Sequence, residues 1–93
     1  MLQAETDTFP TPGYHLKPIR KGKIGESSKI SEEVEELLDA EQQGNKIMML
    51  CELSDLYGAI EAYLLRNFPG IDMKDLRVMA QATSRAFKSG HRK

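Results

Sequence analysis

The sequence has one cysteine, Cys51, in 93 residues. No disulfide can close within the chain, which excludes a secreted disulfide scaffold. Seven glycines and four prolines are too few for a low-complexity chain. The opening MLQAETDTFP lacks the basic-then-apolar pattern of a signal peptide. There is no long apolar run either. The most apolar stretch, Ile47 to Leu65, contains Glu52, Asp55 and Glu61, which argues against a membrane span. Charge of one sign is also missing. Thirteen Lys+Arg face fourteen Asp+Glu, a formal net of −1, so the chain as a whole offers no field for nucleic acid or an anionic membrane. What remains is an ordinary mixture, 40% apolar and 29% charged, of a size that makes one small domain. We expect a soluble, cytoplasmic protein.

The balanced total conceals an uneven layout. Residues 1–25 hold Glu5 and Asp7 against Lys17, Arg20, Lys21 and Lys23, a net of +2. Residues 26–61 hold ten acids against Lys29 and Lys46, a net of −8. Residues 62–93 hold Asp72 and Asp75 against seven bases, a net of +5. An acidic centre between basic flanks suits a polyanion held through metal ions; the same layout also serves acids and bases that pair across helices.

Residues 1–25 predict an irregular arm, because Pro10, Pro12 and Pro18 break helix and Gly13, Gly22 and Gly25 loosen the rest. Residues 26–93 predict an all-α domain. A first helix, about Ser28 to Gln43, carries Ile30, Val34, Leu37 and Leu38 as one apolar stripe, with Ser27 or Ser28 as cap and acids crowding its first turns. Gly44-Asn45 ends it. A second helix, about Lys46 to Asn67, is apolar almost all round and stops at Phe68-Pro69-Gly70. A third, about Met73 to Ser89, is capped by Asp72 with Asp75 three residues on and ended by Gly90. Leu76, Met79, Ala80, Thr83 and Phe87 share one face of it. Three helices are too few to surround the second. We therefore expect the helical hairpin and third helix to complete a four-helix-bundle-type core by pairing with further copies, as a homodimer or homotetramer. On that view Cys51 is an inert buried filler.

Two carboxylate pairs carry the chemistry. Glu33 and Glu36, and Glu52 and Asp55, are each three apart, so each pair lies on one helical face within reach of a shared ion. Burying carboxylates is costly unless they are paired or coordinate a metal. Magnesium, a hard ion that takes carboxylate, water and phosphate oxygens, would relieve their repulsion, with manganese as a substitute. The competing expectation is a solvated acidic face with interhelical salt bridges. Glu35, Asp39 and Glu41 read that way. Glu52 and Asp55, set inside an apolar helix, read as metal ligands.

The run Lys29-Ile30-Ser31-Glu32-Glu33-Val34-Glu35-Glu36-Leu37, followed by Glu52-Leu53-Ser54-Asp55-Leu56, resembles the EExxE…ExxD pattern of the MazG-like all-α nucleotide pyrophosphohydrolases. The resemblance covers about residues 21–66. It implies Mg²⁺-dependent hydrolysis of a nucleoside triphosphate between the α and β phosphates, giving a monophosphate and pyrophosphate. It implies Glu33, Glu36, Glu52 and Asp55 as metal ligands, and Glu32 as the residue that orients or activates water or supports a ligand. The basic residues then acquire a task. Lys29, with Arg77, Arg85 and Lys88 on the third helix and Lys21 and Lys23 in the arm, can hold phosphates, although a solvated surface serves the third helix equally well. Tyr57, Tyr63 and Phe68 can stack on a base, but their helical spacing favours packing. His15 and His91 have no neighbouring ligand pattern and receive no role.

Two alternatives stand beside this reading. The chain length and the run Glu52-Leu53-Ser54-Asp55-Leu56-Tyr57 also resemble phosphoribosyl-ATP pyrophosphohydrolase of histidine biosynthesis, which the residues around the first glutamates resemble less. An acidic helical hairpin is also able to serve without catalysis, as an oligomerisation or partner-binding module.

Overall fold

The computed structural model describes residues 15–88, and within them every regular element is helical. Helix α1 spans Ser27–Gln43, α2 Lys46–Asn67 and α3 Met73–Lys88. The expected Gly90 cap lies outside the described residues.

The α1–α2 connection is dictated locally. Gly44 takes the left-handed conformation, φ 70°. Its N–H bonds the Glu41 carbonyl at 3.0 Å, and the Asn45 N–H bonds the Ala40 carbonyl at 3.2 Å, the paired closure of a Schellman motif. Asn45 then caps α2, its side chain accepting from the Met48 N–H at 3.0 Å. Two residues thus end one helix and start the next, and α1 and α2 pack as an antiparallel hairpin.

The start of α1 differs from expectation. Its N-cap is Glu26, in extended conformation and without a side-chain capping bond, and its first turn holds no acid. The acids begin at Glu32, one turn later. Ser28 is engaged elsewhere, its hydroxyl accepting from the Lys23 N–H at 3.1 Å, which ties the arm to the helix start.

Residues 15–25 lie against the hairpin without regular structure. Ile19 is buried there. The Gly22 N–H donates to Glu32 at 2.8 Å, the Leu16 N–H to Asp39 at 3.0 Å, and Asn67 to the Gly25 carbonyl at 3.2 Å. Gly22 approaches so closely that a Cβ there would overlap the Ser28 carbonyl.

The apolar stripe read from α1 does not form its buried face. Val34 and Leu38 are exposed, and the buried residues of α1 are Glu32, Glu33, Asp39 and Ala40. Asp39, expected on a solvated face, is 1% exposed. The arm explains the reversal: it lies over the acidic side of α1 and supplies the donors that side needs. In α2 only Glu52, Ala59 and Leu64 are buried, while Ile47, Leu50, Leu53, Tyr57 and Leu65 are exposed. Cys51, expected to be buried filler, is exposed as well.

α3 begins at a reciprocal capping box. The Asp75 N–H bonds Asp72 at 3.1 Å and the Asp72 N–H bonds Asp75 at 3.0 Å. The helix does not pack along the hairpin; it shares with α2 an open groove lined by Tyr57, Met73, Leu76, Arg77 and Ala80. No helix among the described residues is long and apolar enough to cross a membrane.

Gly22→Ala should destabilise the protein by about 1–3 kcal/mol through overpacking, read as a lower urea midpoint of helical signal. Gly44→Ala, with nothing near its Cβ position, should cost about 1–2 kcal/mol from the left-handed conformation alone.

Candidate metal centre

The hairpin brings one face of α1 against one face of α2, and the carboxylates meet there. Oxygens of Glu33, Glu36, Glu52 and Asp55 all lie within 4.8 Å of one another. Glu33 and Glu52 are buried, Glu36 is half-buried and Asp55 is exposed. The three-residue spacing places both members of each pair on the side that faces the other helix. Asp55 and Glu33 open into a cleft of about 430 Å³, lined also by Ile24, Lys29, Ser54, Gly58 and Ala59. Gly58 and Ala59 keep the α2 wall of this cleft low.

Lys29 stands at the edge of the cluster, its Nζ 3.1 Å from Glu32 and 3.3 Å from Glu33. Burial works against its charge, but the two glutamates raise its pKa above the ordinary value. Glu32 sits outside the converging set. Burial opposes its charge too, yet the Gly22 N–H and Lys29 hold it below the usual carboxylate range.

The inner carboxylates behave differently. Burial, then the neighbouring Glu36, push Glu33 up to about 7. Burial and the neighbouring Glu52 push Glu36 up to about 7. Burial, with the nearby Asp55 charge, raises Glu52. One buried oxygen of Glu33 and one of Glu52, Oε1 in each case, accept no hydrogen bond. Orphaned, mutually repelling, oxygen-only ligands are the donor set a hard divalent cation satisfies. The residues fit such an ion.

The remaining sequence candidates lie elsewhere. Arg77 lines the α2–α3 groove, and Arg85 and Lys88 lie further along α3, which does not pack on the carboxylate face. Lys21 is exposed beside Glu32 and Lys23 is exposed at the start of α1. Glu35 pairs with Lys17 at 3.3 Å on the surface and Glu41 is exposed, as a solvated face requires. Tyr63 and Phe68 pack on each other with ring centroids 6.3 Å apart, whereas Tyr57 faces the groove beside α3.

One residue without an expected role stands beside the site. His15 is 7% exposed, its Nδ1 2.9 Å from Asp39 and its Nε2 3.8 Å from Glu52. Its distance along the chain from the glutamates hid it. The only hint in the sequence is that Asp39 continues the face of Glu32 and Glu36, at spacings of seven and three. His91 lies outside the described residues.

The sequence model of the phosphoribosyl-ATP pyrophosphohydrolase family matches residues 1–81. No curated protein and no solved structure matches the chain. The chain belongs to the phosphoribosyl-ATP pyrophosphohydrolase family, within the MazG-like all-α superfamily, whose members hydrolyse acid anhydrides.

The raised carboxyls set a pH dependence. Unfolded, Glu33 and Glu36 titrate near 4.5; folded and without metal, near 7. Between these values the folded state holds protons that the unfolded state has lost. Their contribution is therefore fully present below pH 4.5 and is lost as pH rises to about 7. Glu32 and Asp39, both lowered, act oppositely and at more acid pH. In EDTA, the Tm should fall between about pH 5 and 7. Millimolar divalent cation should restore it, and more strongly at pH 7.5 than at pH 5. A Tm that climbs through this range in EDTA would contradict the assigned burial.

Proposed function

We propose that the chain is a divalent-metal-dependent pyrophosphohydrolase that cleaves a nucleoside triphosphate, ribo or deoxy, between the α and β phosphates to a monophosphate and pyrophosphate. The observation that carries this reading is the convergence of Glu33, Glu36, Glu52 and Asp55 within 4.8 Å at the mouth of an open cleft beside Lys29. A triphosphate brings about four negative charges, and four carboxylates cannot receive it without cations between them.

Glu33, Glu36, Glu52 and Asp55 would hold Mg²⁺, with Mn²⁺ as a substitute. Such ions supply charge neutralisation, polarisation of the α phosphate and a hydroxide from bound water at neutral pH. The protein's own groups do the positioning. Lys29, held between Glu32 and Glu33, offers its ammonium to a phosphate oxygen when substrate enters. Glu32, fixed by the Gly22 N–H and Lys29, keeps that lysine aimed at the cleft and supports the ligand beside it, and through Lys29 it helps orient the attacking water. The low wall at Gly58 and Ala59 leaves room for the nucleotide. Arg77, Arg85 and Lys88 would receive the leaving pyrophosphate. Because α3 does not pack on its own hairpin, that role belongs to the assembled oligomer.

Assembly is the second half of the proposal. The exposed Ile47, Leu50, Leu53 and Leu65 of α2 form more apolar surface than a small monomer usually leaves in water. A homodimer or homotetramer joined through α2 would cover it and complete the bundle.

The family match favours a second substrate, phosphoribosyl-ATP, in which the same α–β phosphoanhydride is broken. One experiment separates the two. Ribo- and deoxynucleoside triphosphates and phosphoribosyl-ATP are assayed for pyrophosphate with Mg²⁺ or Mn²⁺. Release from the free triphosphates supports the first substrate, and release from phosphoribosyl-ATP alone selects the second. Glu52→Gln should lower turnover by at least about a hundredfold. No pyrophosphate from any of them at high enzyme concentration would overturn the activity. Sedimentation at micromolar concentration should show a dimer or tetramer; a monomer there would remove the assembly.

A further inference from the structure

We propose that His15 is a metal ligand, supplying through Nε2 a nitrogen donor to a second cation position shared with Glu36 and Glu52. The inference rests on the reading that the carboxylate cluster binds divalent cations. It extends that reading to a different part of the chain and to a different class of metal.

The geometry is that of a histidine held for ligation. The imidazole is fully buried and wedged between two carboxylates on different helices, Asp39 of α1 and Glu52 of α2. Nδ1 lies 2.9 Å from Asp39 Oδ2. Asp39 is an acceptor already engaged by the Leu16 N–H and by Gln43 Nε2 at 2.9 Å. Donors reach both of its oxygens. An ionised carboxylate only accepts, so Nδ1 carries the proton of this bond and Nε2 turns toward the cluster. Metal-bound histidines are oriented in this manner, the other ring nitrogen donating to a carboxylate that fixes tautomer and ring plane.

Distances on the far side of the ring point the same way. Nε2 is 3.8 Å from Glu52 Oε2, beyond the ~2.7–3.2 Å of a hydrogen bond to nitrogen. Two ligand atoms each ~2.1 Å from a common ion lie at most ~4.2 Å apart. The gap is wide for a direct bond and within range for a shared cation. Ligand atoms of His15, Glu36 and Glu52 all fall within 4.8 Å of one another. Oε1 of Glu52 is buried and accepts no hydrogen bond, so this carboxylate has a lone pair to offer. Glu36 and Glu52 also belong to the all-oxygen set with Glu33 and Asp55. The two positions therefore share a pair of carboxylates, one facing the cleft and the other facing the arm.

Ligand chemistry separates the positions. Oxygen donors alone suit Mg²⁺, whereas imidazole with two carboxylates suits Mn²⁺, Co²⁺ or Zn²⁺. The arm is then a metal-linked part of the site, and a borderline metal fastens it to both helices.

The test uses the full chain labelled with ¹⁵N-histidine. Long-range ¹H–¹⁵N spectra are recorded as Zn²⁺ is added, with His91, the only other histidine, as internal control. His15 Nε2 should shift as a metal-bound nitrogen, while Nδ1 keeps its proton. In parallel, calorimetry compares wild type with His15→Gln and Asp39→Asn, each checked for unchanged helicity. Both variants should lose on the order of tenfold or more in Co²⁺ and Mn²⁺ affinity, with Mg²⁺ binding nearly unchanged. A shift confined to His91, or none at saturating Zn²⁺ while calorimetry still records binding, overturns the histidine ligand and leaves the carboxylate site standing. Absence of binding for every divalent ion overturns both. Should a variant unfold, the wild-type spectrum alone decides.

Discussion

Burial of carboxylates against the arm is the constraint on which the rest of the structure depends. A chain this short buries few large apolar side chains, and among the described residues the buried apolar set is Ile19, Ala40, Ala59 and Leu64. Beside these four stand five buried polar or charged residues, His15, Glu32, Glu33, Asp39 and Glu52. Charges out of water need partners, and the pairing divides them into two groups. Glu32 and Asp39 are satisfied by the arm, and both pKa values fall. Glu33 meets Lys29 of its own helix and Glu52 only the ring of His15 at 3.8 Å, beyond hydrogen-bond range, and both rise. One helix face thus serves as a docking strip and as the wall of a site, and the difference is made by which acids receive a hydrogen-bond donor from the arm.

Much of this was legible in the sequence. The helix-ending Gly44-Asn45, the Phe68-Pro69-Gly70 stop and the Asp72–Asp75 cap are local signals, and the helices begin and end where those residues require. The carboxylate pairs were legible for the same reason, since a spacing of three fixes a shared face. The MazG-like superfamily followed from the two-part pattern they form, whereas the phosphoribosyl-ATP pyrophosphohydrolase family within it stood only as an alternative.

The rest was not legible because it depends on contacts distant along the chain. Periodicity assigned Val34 and Leu38 to the core of α1 and Asp39 to solvent. The arm reverses the assignment of Asp39 by bringing it the Leu16 N–H and His15 from 23 and 24 residues away. Nothing in a helical wheel records a donor that arrives from an irregular segment. His15 escaped notice for the same reason: its partners come from two helices, and no local motif joins them. The exposed apolar residues of α2 are a different case. Their pattern was read from the sequence, and a single chain holds nothing large enough to cover them.

The tight turn at Gly44 has a consequence in time. Contacts between α1 and α2 are close in sequence and can form as soon as α2 is complete, in the fast regime of helical proteins with local contacts. The arm is made before the helices it binds; Lys23 and Gly22 meet Ser28 and Glu32 early, whereas His15 has its full set of partners only when Asp39 and then Glu52 have left the ribosome. Docking of the segment around His15 is therefore complete only after that of the segment around Gly22. Its timing is set by the order of residues along the chain rather than by the strength of any one bond.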